Sequence, residues 1–151
     1  MFFLILFIVK TAKKKIMNII GISSVPDTTS KIKFNENSEF DSNGIQFIIN
    51  PYDEFGLTKA VKIKAKVGGT ITVVSVGDIS SEPVIRKSLA IGADKAIRIN
   101  ANPKDSFETA NLISNYLKNI EYDIIIAGRE SIDYNGSAVP VSYTHLRAHE
   151  T

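Results

Sequence analysis

The sequence has no cysteine, no tryptophan and only two histidines in 151 residues. Without cysteine there is no disulfide framework, thiol nucleophile, iron–sulfur cluster or thiolate zinc site. At 151 residues the chain can bury a core without such staples. Its longest purely apolar run, residues 1–9 (MFFLILFIV), falls well short of the about 20 residues a helix needs to cross a bilayer. A secretory signal places its cations before the apolar stretch and a small-residue cleavage site after it. Here the order is apolar run, then KTAKKK, with no such site, so a membrane-anchored reading rests on residues 1–9 alone. The phosphate-cradling GxxxxGK[ST] is absent, no GxGxxG follows the first strand-like segment, and no SGGxDS-like stretch offers a pyrophosphate loop.

The charge of +2 and the pI near 8.8 taken alone suggest an anionic partner, but they come from the ends of the chain. Lys10, Lys13, Lys14 and Lys15 are the only charges in residues 1–16, and His145, Arg147, His149 and Glu150 crowd the last seven. Residues 1–16 read as an upstream extension, with Met17 opening a buried strand. Residues 142–151 (SYTHLRAHET) show neither helical nor strand periodicity, so 140–151 are expected to be a tail foreign to the domain. Removing the four lysines, Arg147 and Glu150 leaves 13 basic and 15 acidic residues, a slight negative charge, and no histidine. Histidine-based acid–base, nucleophilic and metal chemistry then disappears.

Between the ends, strand and helix patterns alternate. Asn18–Ile22 is a first apolar strand, followed by the turn-rich 23–30. Lys31–Phe34 and Ile45–Ile49 are β-branched segments whose Asn43-Gly44 predicts a hairpin. Asn50-Pro51 reads as N-cap and first helical residue, with Asp53 and Glu54 at the positive end of the helix dipole, and the helix stops at Gly68-Gly69. Thr70–Val76 is a strand covered on both faces. A helix capped by Ser80 or Ser81, with Pro83 in its first turn, turns Ile85 and Leu89 inward and ends at Gly92. Lys95–Ile99 is a strand, 105–120 an amphipathic helix with Ala110, Ile113, Leu117 and Ile120 on one face, and Asp123–Ala127 a buried strand. The polar loop Gly128–Ser137 leads into a helix that the tail interrupts.

This alternation predicts an α/β fold: a doubly wound parallel sheet, Rossmann-like and adenine-nucleotide-binding in type, with an inserted β-hairpin and truncated before the domain closes. Ligands in such sheets bind outside the carboxyl ends of the strands, here the loops 23–31, 77–82, 100–105 and 128–137. In the last of these, Gly128 lets the chain leave its strand sharply, and Gly136-Ser137 puts a hydroxyl and free N–H groups at a helix N-terminus, where an anion is welcome. Ordinary capping has the same signature. Asp27, Asp94 and Asp133 have no metal-ligand spacing, no catalytic set is recognised, and Lys59, Lys62 and Lys66 fit a solvated helix face. Asn135-Gly136-Ser137 matches the glycosylation sequon, which matters only in a secreted protein.

The segments GISSVPDTTSKIKF, GIQFIINPYDEFGLTKAVKIK, IRKSLAIGADKAIRI and YDIIIAGRESIDYNGSAV together resemble the β subunit of electron transfer flavoprotein, the FixA-like group, over residues 17 to about 139. The resemblance implies a non-enzymatic electron carrier of the cytoplasm, one half of a heterodimer. The α and β subunits together hold an FAD that passes electrons from donors such as acyl-CoA dehydrogenases to a quinone reductase or other acceptor. The β subunit itself holds AMP, or a second FAD, in its own nucleotide site. Carried over by position, that site falls on Gly21, on Asn50, Pro51, Tyr52 and Asp53, on Val76, and on Gly128, Arg129, Glu130, Ser131, Ile132, Asp133, Asn135, Gly136 and Ser137. Asn50 is expected to meet adenine or ribose, and Ser137 the phosphate. The loop is shorter than in mitochondrial-type subunits, so the carry-over onto Asp133 and Asn135 holds to within a residue or two. With the final helix interrupted, the chain is expected not to fold stably. The alternative on the same fold is a universal-stress-type ATP- or AMP-binding regulator, whose usual form lacks the inserted hairpin and the NPYDE helix start.

Overall fold

The computed structural model describes residues 5–8 and 16–147. Its main sheet has the order β1-β7-β2-β5-β6, built from β1 (Ile5–Ile8), β2 (Ile16–Gly21), β5 (Gly69–Val76), β6 (Lys95–Ile99) and β7 (Ile124–Ala127). The strands β7, β2, β5 and β6 run parallel, as the sequence predicts for its core strands. Residues 5–8, read above as part of an upstream extension, pair antiparallel with β7, Ile5 opposite Ala127 and Ile8 opposite Ile124. Lys10, Lys13, Lys14, Lys15, His149 and Glu150 lie outside the described residues.

The alternating side chains of the parallel strands divide into two cores, as the period-2 geometry of a strand requires. Ile20, Ile71, Val73, Ile124 and Ile126 face α1 (Pro51–Val67) and α2 (Glu82–Ile91), meeting Leu57, Ala60, Val84 and Ile85. Ile19, Val74 and Ile125 face the other way, onto Ala110 and Leu117 of α3 (Ser106–Leu117) and Tyr143 of α4 (Ala138–Arg147). Helices therefore cover both faces, the doubly wound arrangement expected from the sequence.

Helix α1 begins with Pro51 in its first turn and stops where Gly68 takes φ 74°, with the Gly68 N–H closing on the Lys64 carbonyl. In α3, Asp105 accepts from Glu108 N at 2.7 Å, and Glu108 reaches back to Lys104 N at 2.8 Å, a reciprocal cap that satisfies two otherwise orphaned donors. On α2 the buried positions are Val84, Ile85 and Ser88, whereas Leu89 is exposed. Ile85 faces inward as read from the sequence, but Leu89 does not: the next inward position is Ser88, whose buried hydroxyl donates to the Val84 and Ile85 carbonyls.

Two further expectations are corrected. The inserted hairpin does not pair 31–34 with 45–49. Instead β3 (Ser24–Pro26) pairs antiparallel with β4 (Phe47–Ile49), Val25 opposite Ile48, and residues 27–46 form an excursion with a single bridge between Phe34 and Phe40. Nor is the helix after Ser137 interrupted: α4 runs to Arg147, with Val139, Tyr143 and Leu146 at i, i+4 and i+7 packed into the second core and the Tyr143 hydroxyl 2.9 Å from that of Tyr122.

Asp94, in the turn before β6, accepts from Ile71 N at 2.8 Å and pairs with Lys64 of α1. It thus ties α1 to the edge of β5. The Lys64 ammonium, then the Ile71 amide, hold its carboxyl below the usual value. A lowered carboxylate contributes stability that is complete above the unfolded value of about 3.9 and is lost as pH falls through the folded value. Urea midpoints measured from about pH 5 to about pH 2 are expected to show a smaller acid-dependent loss in Lys64→Met than in the unaltered chain. Superimposable profiles would remove the pair from the account of stability.

Candidate functional site

The chain leaves β2, adds β5 and then β6 on one side, and returns to place β7 on the other. Strand order therefore reverses between β2 and β7, and in open α/β sheets the crevice at that reversal, outside the carboxyl ends, is where ligands bind. A cavity of about 660 Å³ opens there, within the range of small-molecule sites. It continues inward between the sheet and the α3–α4 layer, past Ile19, Ile125 and Leu117.

The start of α1 sets the walls of this cavity. Asp53 is buried in the first helical turn. Its Oδ2 accepts from Ser23 N at 2.9 Å and Ser23 Oγ at 2.7 Å, and its Oδ1 accepts from Gly128 N at 2.9 Å. One carboxylate thus fastens the loop after β2 and the loop after β7 to the same helix. Burial pushes the Asp53 carboxyl above its ordinary value, and the donors from Ser23 and Gly128 act in the opposite direction. Gly128 is required by this closeness: a Cβ there would collide with Asp53 Oδ1 and come within 2.8 Å of the Asp53 backbone nitrogen.

Asn50 occupies the position before α1, but its side chain makes no cap hydrogen bond. The Asn50 carboxamide is turned to the far loop, donating from Nδ2 to the Glu130 carbonyl at 2.8 Å and accepting at Oδ1 from Ile132 N at 3.3 Å. The capping role read from the sequence is corrected accordingly. Asp53, likewise, is not simply a surface acid at the helix dipole.

Of the carried-over residues, Gly21, Asn50, Asp53 and Val76 line the cavity, as do Gly128, Glu130, Ser131, Asp133 and Gly136. A Cβ added to Gly21 would meet nothing nearer than the Ala127 Cβ at 3.9 Å, so the protein leaves room over this backbone that a ligand can use. Six positions stand outside the lining. Pro51 is the first residue of α1. The Arg129 guanidinium sits 5.9 Å from the centre of the Tyr52 ring and 2.8 Å from Glu130, a cation–π and ion-pair cluster in which Arg129 holds the Glu130 carboxyl low. Ile132 contributes its N–H to Asn50. Asn135 is exposed with φ 55°, and Ser137 is exposed immediately before α4.

Several lining residues are absent from the set carried over by position. Ser23 is locked to Asp53. Asp78 caps the short 3-10 turn Ile79–Ser81, accepting from Ser80 N at 2.9 Å. Asn102, Thr109 and Tyr134 also line the wall. All of these but Thr109, which lies in α3, fall in the loops at the carboxyl ends of the strands. Among the described residues, the charged ones in the lining are Asp53, Asp78, Glu130 and Asp133, with no lysine or arginine. Among the described residues no group of His, Asp and Glu is placed to hold a metal, and no helix is long and apolar enough to cross a membrane.

The fold is that of a doubly wound, Rossmann-like α/β domain with a cavity at the reversal of strand order. An electron transfer flavoprotein domain matches residues 39–142, and the chain belongs to that family. It is similar to the electron transfer flavoprotein subunit beta of Bacillus subtilis (strain 168), 38% identical over 111 residues, covering 71% of this chain and 43% of that protein. It is similar to protein FixA of Azotobacter vinelandii, 31% identical over 123 residues, 77% of this chain and 44% of that one. The acryloyl-CoA reductase electron transfer subunit gamma of Anaerotignum propionicum is 30% identical over 118 residues, 74% and 44%. The chain spans less than half the length of these three relatives.

Loss of the Asp53 acceptors should open both walls at once. Each buried donor left without a partner costs roughly 1–3 kcal/mol. Asp53→Asn, which keeps one acceptor and turns an NH2 group toward Ser23, is expected to lose about that much. Asp53→Ala, which orphans the Ser23 and Gly128 amides together, is expected to lose more. Equilibrium urea denaturation measures both, and an unchanged midpoint in Asp53→Ala would show that the clamp is dispensable.

Proposed function

We propose that this chain is the nucleotide-holding part of the β subunit of a heterodimeric electron transfer flavoprotein, and that it is a carrier component rather than an enzyme. In this reading the cavity at the carboxyl ends of β2, β5 and β7 takes AMP, or the adenine-nucleotide portion of a second FAD. The α subunit is the partner, and the FAD shared with it accepts and releases the electrons. Donors are acyl-CoA dehydrogenase-type enzymes, and acceptors are a quinone reductase or another electron acceptor. The assembly is placed in the cytoplasm.

The observation that carries the reading is the join between Gly21 and the loop 128–137. A bare backbone with unfilled space above it forms the floor, and Asn50 and Asp53 brace the loop that ends at the N-terminus of α4. Gly21 allows a flat ring to approach the chain closely. The exposed hydroxyl of Ser137 and the first amides of α4 suit a phosphate. Asn50 works at one remove, since its carboxamide is committed to residues 130 and 132. That one relative is named an acryloyl-CoA reductase electron transfer subunit supports an acyl-CoA-linked enzyme as a partner in electron transfer. Nothing in the cavity favours the stress-type regulator, whose ATP would bring three phosphates to a lining without a cation.

The test is co-expression of the complete gene with its α-subunit neighbour, followed by extraction of the bound nucleotides. A yellow two-chain complex containing flavin, with AMP or a second flavin, is expected; a colourless ATP-binding homodimer would overturn the proposal. Within that complex, Ser137→Ala and Asn50→Ala are each expected to lower nucleotide content several-fold while the α subunit remains bound. Wild-type content in both variants would remove the loop from the site.

A further inference from the structure

Asn-Gly pairs occur twice in the chain, at Asn43-Gly44 and Asn135-Gly136. Asparagine before glycine is where the next backbone nitrogen most easily reaches the side-chain carbonyl, because glycine brings no Cβ to crowd the approach. Whether it does so in a folded protein depends on two local conditions. The carboxamide must be free to swing over the peptide, and the glycine N–H must not be committed to an acceptor.

The two pairs differ in the first of these. Asn43 donates from Nδ2 to Asp41 Oδ1 at 2.7 Å, and its backbone N–H donates to the same oxygen at 3.0 Å. The surrounding turn is closed by Ile45 N to the Ser42 carbonyl at 3.2 Å. Its carboxamide is therefore held back over residue 41. Asn135 is exposed, sits in the left-handed region at φ 55°, and its carboxamide makes no hydrogen bond to any described residue. The Gly136 carbonyl is engaged by Ser131 N at 2.9 Å, but the Gly136 N–H has no acceptor among the described residues.

We propose that Asn135 is a site of spontaneous deamidation in the loop beside the cavity, next to the lining residues Tyr134 and Gly136. Hydroxide removes the Gly136 amide proton, the nitrogen forms a bond to Asn135 Cγ, and the bond from Cγ to Nδ2 breaks with release of ammonia. The resulting five-membered succinimide adds water at either carbonyl and opens to aspartate or isoaspartate. No oxidant or reductant takes part. Either product adds a carboxylate to a loop that already carries Glu130 and Asp133. The isoaspartate also inserts a methylene into the main chain next to Gly136, whose carbonyl closes the loop on Ser131. Both changes disfavour an anionic ligand.

The experiment is peptide mapping by mass spectrometry of the purified chain during incubation in mildly alkaline buffer, folded and in urea. In the folded chain the peptide containing Asn135 is expected to exchange NH2 for OH several-fold faster than the peptide containing Asn43. In urea, where both carboxamides are free, the rates are expected to converge. Equal or faster conversion at Asn43 in the folded chain, no conversion at Asn135, or a difference that persists in urea would each overturn the assignment. The mass change is read without any bound nucleotide, so its failure and that of the nucleotide reading are separate results.

Discussion

The buried carboxylate of Asp53 is the constraint on which the site depends. A parallel sheet brings the carboxyl ends of β2 and β7 side by side but does not fix the loops that leave them. Those loops carry backbone donors which, once covered, need acceptors. Asp53 supplies two acceptor oxygens from a rigid helix, one to Ser23 and one to Gly128, so both walls are referred to the same element. The arrangement works only because Gly128 lacks a Cβ where the helix backbone passes. Removing water from a carboxylate is costly, and the three protein donors offset part of that cost.

The consequence extends along the loop. Gly128 is anchored by Asp53, residues 130 and 132 by Asn50, and Ser131 by the Gly136 carbonyl. The anchored stretch ends where α4 begins. Helix N-terminal amides are useful to a ligand only if they are held in register with the opposite wall, and the chain of contacts from α1 to α4 provides that register. Rigidity here is distributed unevenly. Asn135, between the last two anchors, keeps a free side chain, and this is where the loop is chemically exposed.

What the sequence made legible was what local chemistry decides. The stop of α1 at Gly68, the limits of β6, and the apolar face of α3 follow from residues within a turn or two of each other. What it hid depends on distant partners. Asn50 has the identity of an N-cap, and only the loop 80 residues away that accepts and donates to it reveals its actual role. Asp53 fits the helix dipole equally well until Gly128 arrives from 75 residues away. The hairpin pairs through 24–26 rather than 31–34 for a related reason. Lys31–Phe34 has better intrinsic strand character than Ser24–Pro26, yet register is set by what can be buried, and Val25 is fully buried whereas Ile32 and Phe34 are exposed.

Helix α4 also depends on distant partners. Over residues 142–151 alone, periodicity is hard to see, because the apolar stripe begins at Val139 and consists of three positions on one face. Charge and polarity on the remaining faces obscure it. A helix of this kind gains most of its stability from packing an apolar face rather than from propensity, and the stripe can pack only because α3 and the sheet already present Ala110, Leu117 and Ile125. Its position matters more than its sequence. By docking Tyr143 and Val139 against that layer it fixes the direction of its own N-terminus, and so completes the cavity that Asp53 begins.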